Sequence, residues 1–114
     1  LTTPKEAWHW KVLIRTPDFI TRSDLSAAVK ALLAKGKPAT VKRVERFALV
    51  EGRCVQMLHV GAYADEPASI ARMVAFTREC GLHLRGTHHE IYLSDPGRVA
   101  AAKLRTILRI PVGS

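Results

Sequence analysis

The pattern of apolar and polar positions predicts short strands that alternate with helices. From Trp8 to Arg15 the apolar side chains recur at every second residue, which is the period of a strand with one buried face. Between about Ser23 and Lys35 they recur at helical spacing. Thr21 and Asp24 precede this run with the spacing of a capping box, and Gly36 follows it as a typical stop. The first third of the chain is therefore predicted to be a strand followed by a helix.

Four further strands and one further helix are predicted in the rest of the chain. They are strands over residues 41–50 and 53–61, a helix from Asp65 or Glu66 to Gly81, a strand region over 82–94 interrupted at Gly86, and a strand over 104–112 that Pro111 stops. Glu51-Gly52 has the composition of a hairpin turn between the first two of these strands. Two helices cannot cover both faces of five strands. The expected fold is therefore α+β, an antiparallel sheet with two helices on one face.

Length and cysteine content limit the class of protein. A chain of 114 residues with 47% hydrophobic residues is predicted to form a single domain over residues 1–114. No apolar run approaches the ~20 residues that span a bilayer, so no membrane partner is expected. Cys54 and Cys80 are too few for a disulfide framework or a four-thiolate site. Free thiols in a reducing compartment, and hence a cytoplasmic location, are predicted.

The positive charge of the chain raises nucleic acid as a partner, but its distribution argues against this partner. The net charge is +8, with lysines and arginines scattered from Lys5 to Arg109 and no long basic block. No RRM, KH or helix-turn-helix signature is present. We therefore interpret the charge as a solvated basic surface. No HExxH or paired Cys/His spacing is present either, so neither a metal nor a cofactor is expected.

Glu90 is the first candidate for a functional residue. The two-residue period places His88, Glu90 and Tyr92 on the same face of a predicted strand. Burying an unpaired charge on a core strand is costly, so a carboxylate in this position indicates a ligand anchor. It would serve as a general base if an apolar environment raised its pKa. The alternative is a glutamate that faces solvent on a half-exposed sheet.

The aromatic residues are the second set of candidates. The chain has two Trp, two Tyr and three Phe. Five of these aromatic residues are expected to stack on flat or cationic ligands: Trp8, Trp10, Phe19, Tyr63 and Tyr92. Core packing is the alternative, particularly for Trp10. Gln56 lies on a strand that we expect beside the Glu90 strand. The strand period puts Gln56 and His59 on opposite faces, so at most one of them faces a pocket.

Several motifs resemble those of DNA gyrase inhibitor-like (GyrI-like) proteins, over nearly the whole chain. The specific one is Thr87-His88-His89-Glu90-Ile91-Tyr92-Leu93-Ser94-Asp95-Pro96, followed by residues 103–109 and Pro111-Val112. Weaker ones agree in order and spacing: Trp8-x-Trp10 with Pro17-Asp18-Phe19, Glu51-Gly52-x-x-Val55-Gln56, and His59-x-Gly61-x-Tyr63 with Glu66.

The resemblance implies the ligand-binding fold of multidrug-responsive regulators, two βαββ repeats around a pseudo-twofold axis with a pocket between them. Residues 53–112 match a complete βαββ unit, and residues 8–50 match only part of the first unit. Either the chain is a piece of a longer protein that carries the missing N-terminal repeat, or a second copy completes the unit. We expect a homodimer, because an exposed sheet face and edge otherwise need cover.

The function implied by the resemblance is binding of hydrophobic, often cationic or planar small molecules around a central carboxylate at Glu90. The ligand-binding residues would be Glu90, Tyr92, Trp8, Trp10, Phe19, Tyr63, Gln56 and His88. Some GyrI-like proteins are instead hydrolases that open the cyclopropane ring of cyclopropanoid genotoxins. In that alternative Glu90, with Tyr92 or Tyr63, would be catalytic. Nucleic-acid binding, which the net charge of +8 suggests, and gyrase inhibition, which no feature of the sequence supports, are further alternatives.

Overall fold

The structure, a computed structural model, describes residues 4–114, and the chain divides into two compact units over residues 1–48 and 49–114. The division lies close to the boundary expected between a partial repeat over 8–50 and a complete repeat over 53–112. The organisation of residues 1–114 as a single domain stays a prediction.

The first unit contains helix α1, Arg22–Ala34, and 3-10 turns at Lys5–Ala7 and Ala39–Arg43. The predicted capping box is present. The backbone N–H of Thr21 donates to Oδ2 of Asp24 over 2.7 Å, and the N–H of Asp24 donates to Oγ1 of Thr21 over 3.2 Å. Gly36 has a φ of +79°, a conformation that favours glycine after a helix end. The prediction of this helix and its ends is confirmed.

The two strands predicted over residues 8–15 and 41–50 are wrong. Neither segment forms a strand in the structure, and the second begins within the turn Ala39–Arg43. Alternating apolar residues produce a strand only where a neighbouring strand supplies hydrogen bonds and cross-strand contacts. Trp10 and Ile14, from the predicted buried face, are exposed. The hairpin predicted at Glu51-Gly52 is also absent. Among the described residues no strand precedes this turn, and the strand that follows it, Cys54–Val60, pairs with the last strand of the chain, Arg105–Gly113.

The second unit is a four-stranded antiparallel sheet with helix α2 packed on one face, which confirms the α+β class. Its elements are β1 Cys54–Val60, α2 Glu66–Glu79, β2 His83–Leu84, β3 His89–Tyr92 and β4 Arg105–Gly113. Strand β4 is central, with β1 on one side and both β2 and β3 on the other. Pro67 at the start of α2 and Gly81 after its end agree with the predicted bounds.

Strands β2 and β3 form one edge that is interrupted by a bulge. Leu84 pairs with Val112 and His89 pairs with Arg109, so the four residues 85–88 lie opposite only the two residues 110–111. The interruption predicted at Gly86 is confirmed, and Gly86 has a φ of +79°.

The prediction that Pro111 ends the last strand is wrong, because β4 continues to Gly113. The N–H of Arg85 donates to the Pro111 carbonyl over 2.8 Å. The nitrogen and carbonyl of one strand residue point to the same side. The nitrogen of Pro111 therefore faces the bulge, so the N–H that proline lacks removes little of the hydrogen bonding between the strands.

The core lies between α2 and one face of the sheet, which we call the helix face. Alternate residues of β4 are buried there together with Val55 of β1 and Met73 of α2; they are Thr106, Leu108, Ile110 and Val112. Burying each large apolar side chain contributes about 1.5–3 kcal/mol. The intervening residues Arg105, Ile107 and Arg109 lie on the other face, which we call the opposite face.

Cys54 and Cys80 are both free thiols, as the sequence predicts. Within residues 4–114 neither helix has the length and apolar character needed to cross a membrane. The cytoplasmic location stays a prediction.

Candidate functional site

Strand β3 with the residue before it, and α2 with the 3-10 turn before it, bring together a group of side chains that we call the carboxyl site: Glu66, Glu90, Tyr63, Tyr92 and His88. Glu90 pairs with Leu108 and Tyr92 pairs with Thr106, and both partners are core residues. Directly opposed residues in a sheet share a face. Glu90 and Tyr92 therefore lie on the helix face, together as the strand period predicts.

Glu90 is an ionised carboxylate held by hydrogen-bond donors. The Tyr92 hydroxyl donates to Oε2 of Glu90 over 2.6 Å. Nε2 of His88 lies 3.9 Å from Oε1, which is an electrostatic contact rather than a hydrogen bond. The interaction with His88 lowers the pKa of Glu90 to about 2 against the opposing effect of burial, and donation from Glu66 and Tyr92 adds to the lowering. The side chain is 27% exposed, so a ligand can reach it.

Glu66 is the first residue of α2 and is only 5% exposed. Its Oε2 has no hydrogen-bond partner within the described residues. Burial raises the pKa of Glu66 to about 8, and its contact with the Glu90 carboxylate and the repulsion between the two charges add to this effect. The contact is therefore one between a protonated carboxyl, Glu66, and a carboxylate, Glu90.

Tyr63 and Tyr92 form the aromatic part of the site. Their ring centroids are 5.8 Å apart and the planes meet at 75°, an edge-to-face arrangement. The hydrogen bond to Glu90 is the main cause of the raised pKa of Tyr92, and burial and the charges of Glu90 and Glu66 add to it. Tyr63 is 38% exposed and Tyr92 is 60% exposed. Both rings therefore offer apolar surface to a ligand.

His59 fixes the backbone that carries Tyr63 and Glu66. It is buried on the helix face, where Nε2 donates to the Ala62 carbonyl over 2.9 Å. Nδ1 forms a hydrogen bond with the Ser69 hydroxyl over 2.8 Å. These bonds join β1, the 3-10 turn Tyr63–Asp65 and α2. His59 thus positions the site without lining it.

Four of the predicted ligand-binding residues are not in this group. The placement of Gln56 with Glu90 is wrong, because Gln56 pairs with Arg109 and lies on the opposite face. Trp8, Trp10 and Phe19 belong to the unit over residues 1–48, where all three are exposed, and their role in a pocket stays a prediction.

The opposite face carries a second polar cluster, which we call the ion-pair cluster. Glu51 accepts hydrogen bonds from Nδ1 of His89 and, over 3.1 Å, from Nη1 of Arg109. Nε of Arg109 donates to Gln56 over 3.0 Å. Burial alone would raise the pKa of Glu51, but hydrogen bonds and charges from His89 and Arg109 outweigh it and lower the pKa. The protein itself therefore supplies both partners of this carboxylate, an arginine and a histidine.

Sequence reasoning missed the role of Glu66. A carboxylate at a helix start indicates a cap, and this interpretation gave no reason to place Glu66 beside Glu90. The structure gives Asp65 the cap position, without a side-chain cap bond. The one signal for Glu66 was its place in the same GyrI-like motif as Tyr63.

The carboxyl site has the chemistry of a cation site with acid–base capacity. One carboxylate and two aromatic rings attract a flat cation. A carboxylate beside a protonated carboxyl can also accept one proton and donate another. Across residues 4–114 no group of three or more His, Cys, Asp or Glu side chains is arranged to hold a metal ion.

Comparison with known proteins identifies the family of the chain. The GyrI-like small molecule binding domain matches residues 12–113. The chain is similar to a hydrolase from Listeria innocua, with a TM-score of 0.80 and 38% identity over 87% of this chain and 52% of that one. An uncharacterized conserved protein from the same organism gives a TM-score of 0.82 and 41% identity over 87% and 50%. No curated protein matches significantly. The chain spans about half the length of these solved structures, and it belongs to the family of GyrI-like small molecule binding domains.

Proposed function

We propose that the chain binds hydrophobic, planar and often cationic small molecules, with Glu90 as the anchor. The observation that carries this proposal is the state of Glu90. It is a reachable carboxylate with no ion pair to any arginine or lysine whose side chain the structure describes, and it lies beside two partly exposed tyrosine rings. An ionised group in this position gains most from a ligand that supplies the missing positive charge.

The aromatic residues account for the preference for flat ligands. A cation over a tyrosine face is stabilised by about 0.5–2 kcal/mol, depending on how far it is removed from water. Tyr63 and Tyr92 provide such faces, and His88, which immediately precedes β3, lies beside Glu90. The ligand-binding role of Trp8, Trp10 and Phe19, which belong to the first unit, stays a prediction. Gln56 is not part of this proposal.

Binding of ethidium, a planar monocation, tests the proposal. Its fluorescence anisotropy should rise saturably with the wild type, and Glu90→Gln should weaken the affinity about tenfold, which is near 1.4 kcal/mol. Glu51→Gln is the matched control, because it removes a glutamate from the opposite face, and it should leave the affinity within about twofold. Equal affinities of the wild type and Glu90→Gln would exclude Glu90 as the anchor.

A second copy of the chain is proposed to complete the pocket. Tyr92 is largely exposed, so the described residues enclose the site only in part. Strand β1 pairs only with β4 in the described part of the chain, and its Leu58 and Val60 are exposed on the opposite face. Open strand edges and apolar sheet faces favour association. Light scattering at micromolar concentration should give the mass of a dimer, and the mass of a monomer would exclude this arrangement.

A hydrolase is the second candidate function, favoured by the similarity to a hydrolase from Listeria innocua. The substrate would be a cyclopropanoid genotoxin. Glu90 would take a proton from the water that attacks the cyclopropane ring, although its pKa is lowered rather than raised, which makes it a weak general base. Tyr92 or Tyr63 would donate a hydrogen bond to the ketone that receives the electrons, and the proton would then pass from Glu90 to that oxygen. The product would gain one water in mass. Glu90→Gln should lower turnover by at least about a hundredfold, far more than it lowers affinity. An unchanged substrate mass with the wild type would exclude this activity.

A further inference from the structure

We propose that Glu66 is the second functional carboxyl of the site, that it holds the proton of the Glu66–Glu90 pair, and that it limits the site to one negative charge. This inference rests on the proposed function, because it specifies the charge of the ligand that the site takes. The ligand class is then a planar monocation in preference to a dication.

The hydrogen bonds decide which carboxyl is protonated. Two carboxyl groups in contact cannot both ionise readily, so the pair keeps one proton near neutral pH. Glu90 is the better carboxylate, because it accepts from the Tyr92 hydroxyl over 2.6 Å and lies near His88. Glu66 is only 5% exposed, and its Oε2 has no hydrogen-bond donor among the described residues. A charge at Glu66 would be both desolvated and unpaired.

The other groups around Glu66 do not reverse this assignment. The contacting strands contribute Glu90 and Tyr92 from β3 and His59 from β1, and His88 immediately precedes β3. The ring nitrogens of His59 are already bonded to Ser69 and Ala62. Two further titratable side chains, Tyr63 and Asp65, lie in the turn before α2, and His83 of β2 follows the far end of the helix and is exposed. Among the side chains that the structure describes, no ion pair joins Glu66 to an arginine or lysine. The helix dipole favours a charged Glu66, but this effect is smaller than burial beside another carboxylate.

The proton on Glu66 has a direct consequence for ligands. With Glu66 neutral, the charge of a monocation is balanced by Glu90 alone. A dication leaves one charge unbalanced unless the Glu66 O–H bond breaks and its proton passes to the buffer. Binding of a dication should therefore release a proton from Glu66, whereas binding of a monocation should release a much smaller fraction of a proton.

The protonation of Glu66 can be measured without a ligand. The chain has six glutamates, and a carbon-13 NMR titration of their carboxyl groups should show one that titrates near its pKa of about 8. That titration should be absent from Glu66→Gln, whose amide has the shape of the protonated acid. It should persist in Glu79→Gln, which changes an exposed glutamate at the other end of α2. If no carboxyl titrates above about pH 6.5, the inference is overturned whatever the dyes do.

Ethidium and propidium form a matched pair of dyes, one with a single positive charge and the other with two. Calorimetry in two buffers of different ionisation enthalpy should show that propidium releases up to one proton near pH 7 from the wild type and almost none from Glu66→Gln. Equal release from both proteins overturns the inference. Failure of the wild type to bind either dye contradicts the proposed function instead, and the NMR titration still decides where the proton lies.

Discussion

Glu51 and Glu90 are half-buried glutamates on opposite faces of the same sheet, and their surroundings differ in one respect. The Glu51 side chain is 19% exposed and is paired with His89 and Arg109. The Glu90 side chain is 27% exposed and contacts hydroxyl and carboxyl groups, with a histidine at 3.9 Å. Glu51, whose partners are side chains of the protein itself, contributes to the stability of the fold. Glu90, which contacts another carboxyl group, keeps a negative charge that a cationic ligand can balance.

The largest expected effect is a pH dependence of stability that comes from the carboxyl site alone. The pKa of Glu66 is raised from 4.5 to about 8 in the folded state. Between these values the folded chain holds a proton that the unfolded chain has lost, so the contribution of Glu66 to stability is full below 4.5 and decreases as pH rises through about 8. Between about pH 5.5 and 7.5 the wild type should lose about 2 kcal/mol relative to Glu66→Gln in urea denaturation.

The histidines, which both proteins share, cancel in this comparison. The lowered pKa of Glu90 acts in a lower range, because its contribution is present above 4.5 and is lost as pH falls towards about 2. Parallel stability profiles for the wild type and Glu66→Gln over this range would mean that Glu66 is ionised, and the contrast between the two faces of the sheet would then be smaller than proposed.

The next effect is on stability at constant pH. Glu51→Gln should destabilise the fold by about 1–2 kcal/mol, because it leaves Arg109 and His89 without their carboxylate. Glu90→Gln should change the free energy of unfolding by less than about 1 kcal/mol, because losing the bonds to the carboxylate is offset by the relief of Glu66. Chemical denaturation of the two variants under one set of conditions gives the comparison. A larger loss from Glu90→Gln than from Glu51→Gln would reverse the roles assigned to the two faces.

The fold was predictable where a local signal sufficed. The capping box at Thr21 and Asp24, the bounds of α2 and the interruption at Gly86 each depend on a few adjacent residues, and all three are confirmed. The strands predicted over 8–15 and 41–50 failed because a strand needs a partner, and alternation in one segment contains no information about a partner. Pro111 was misjudged because only the register shows that its missing N–H lies beside a bulge.

The candidate site was predictable along a strand but not between elements. The two-residue period was enough to place Glu90 with Tyr92 and His88. It could not place Gln56, because the orientation of β1 depends on its pairing with β4. It could not find Glu66 either, since the contact with Glu90 joins a helix start to a strand.

The smallest expected effect tests the Tyr92–Glu90 hydrogen bond. The bond to Glu90 is the main cause that raises the pKa of Tyr92. The chain has only two tyrosines, so phenolate absorbance near 295 nm reports few groups. At about pH 11, Glu90→Gln should show more phenolate than the wild type. The uncharged amide that replaces the Glu90 carboxylate no longer opposes ionisation of the Tyr92 hydroxyl. Glu51→Gln should match the wild type, since Glu51 lies on the opposite face. If Glu51→Gln raises the phenolate signal as much as Glu90→Gln, the effect is one of general negative charge, and the hydrogen bond would not distinguish the two glutamates.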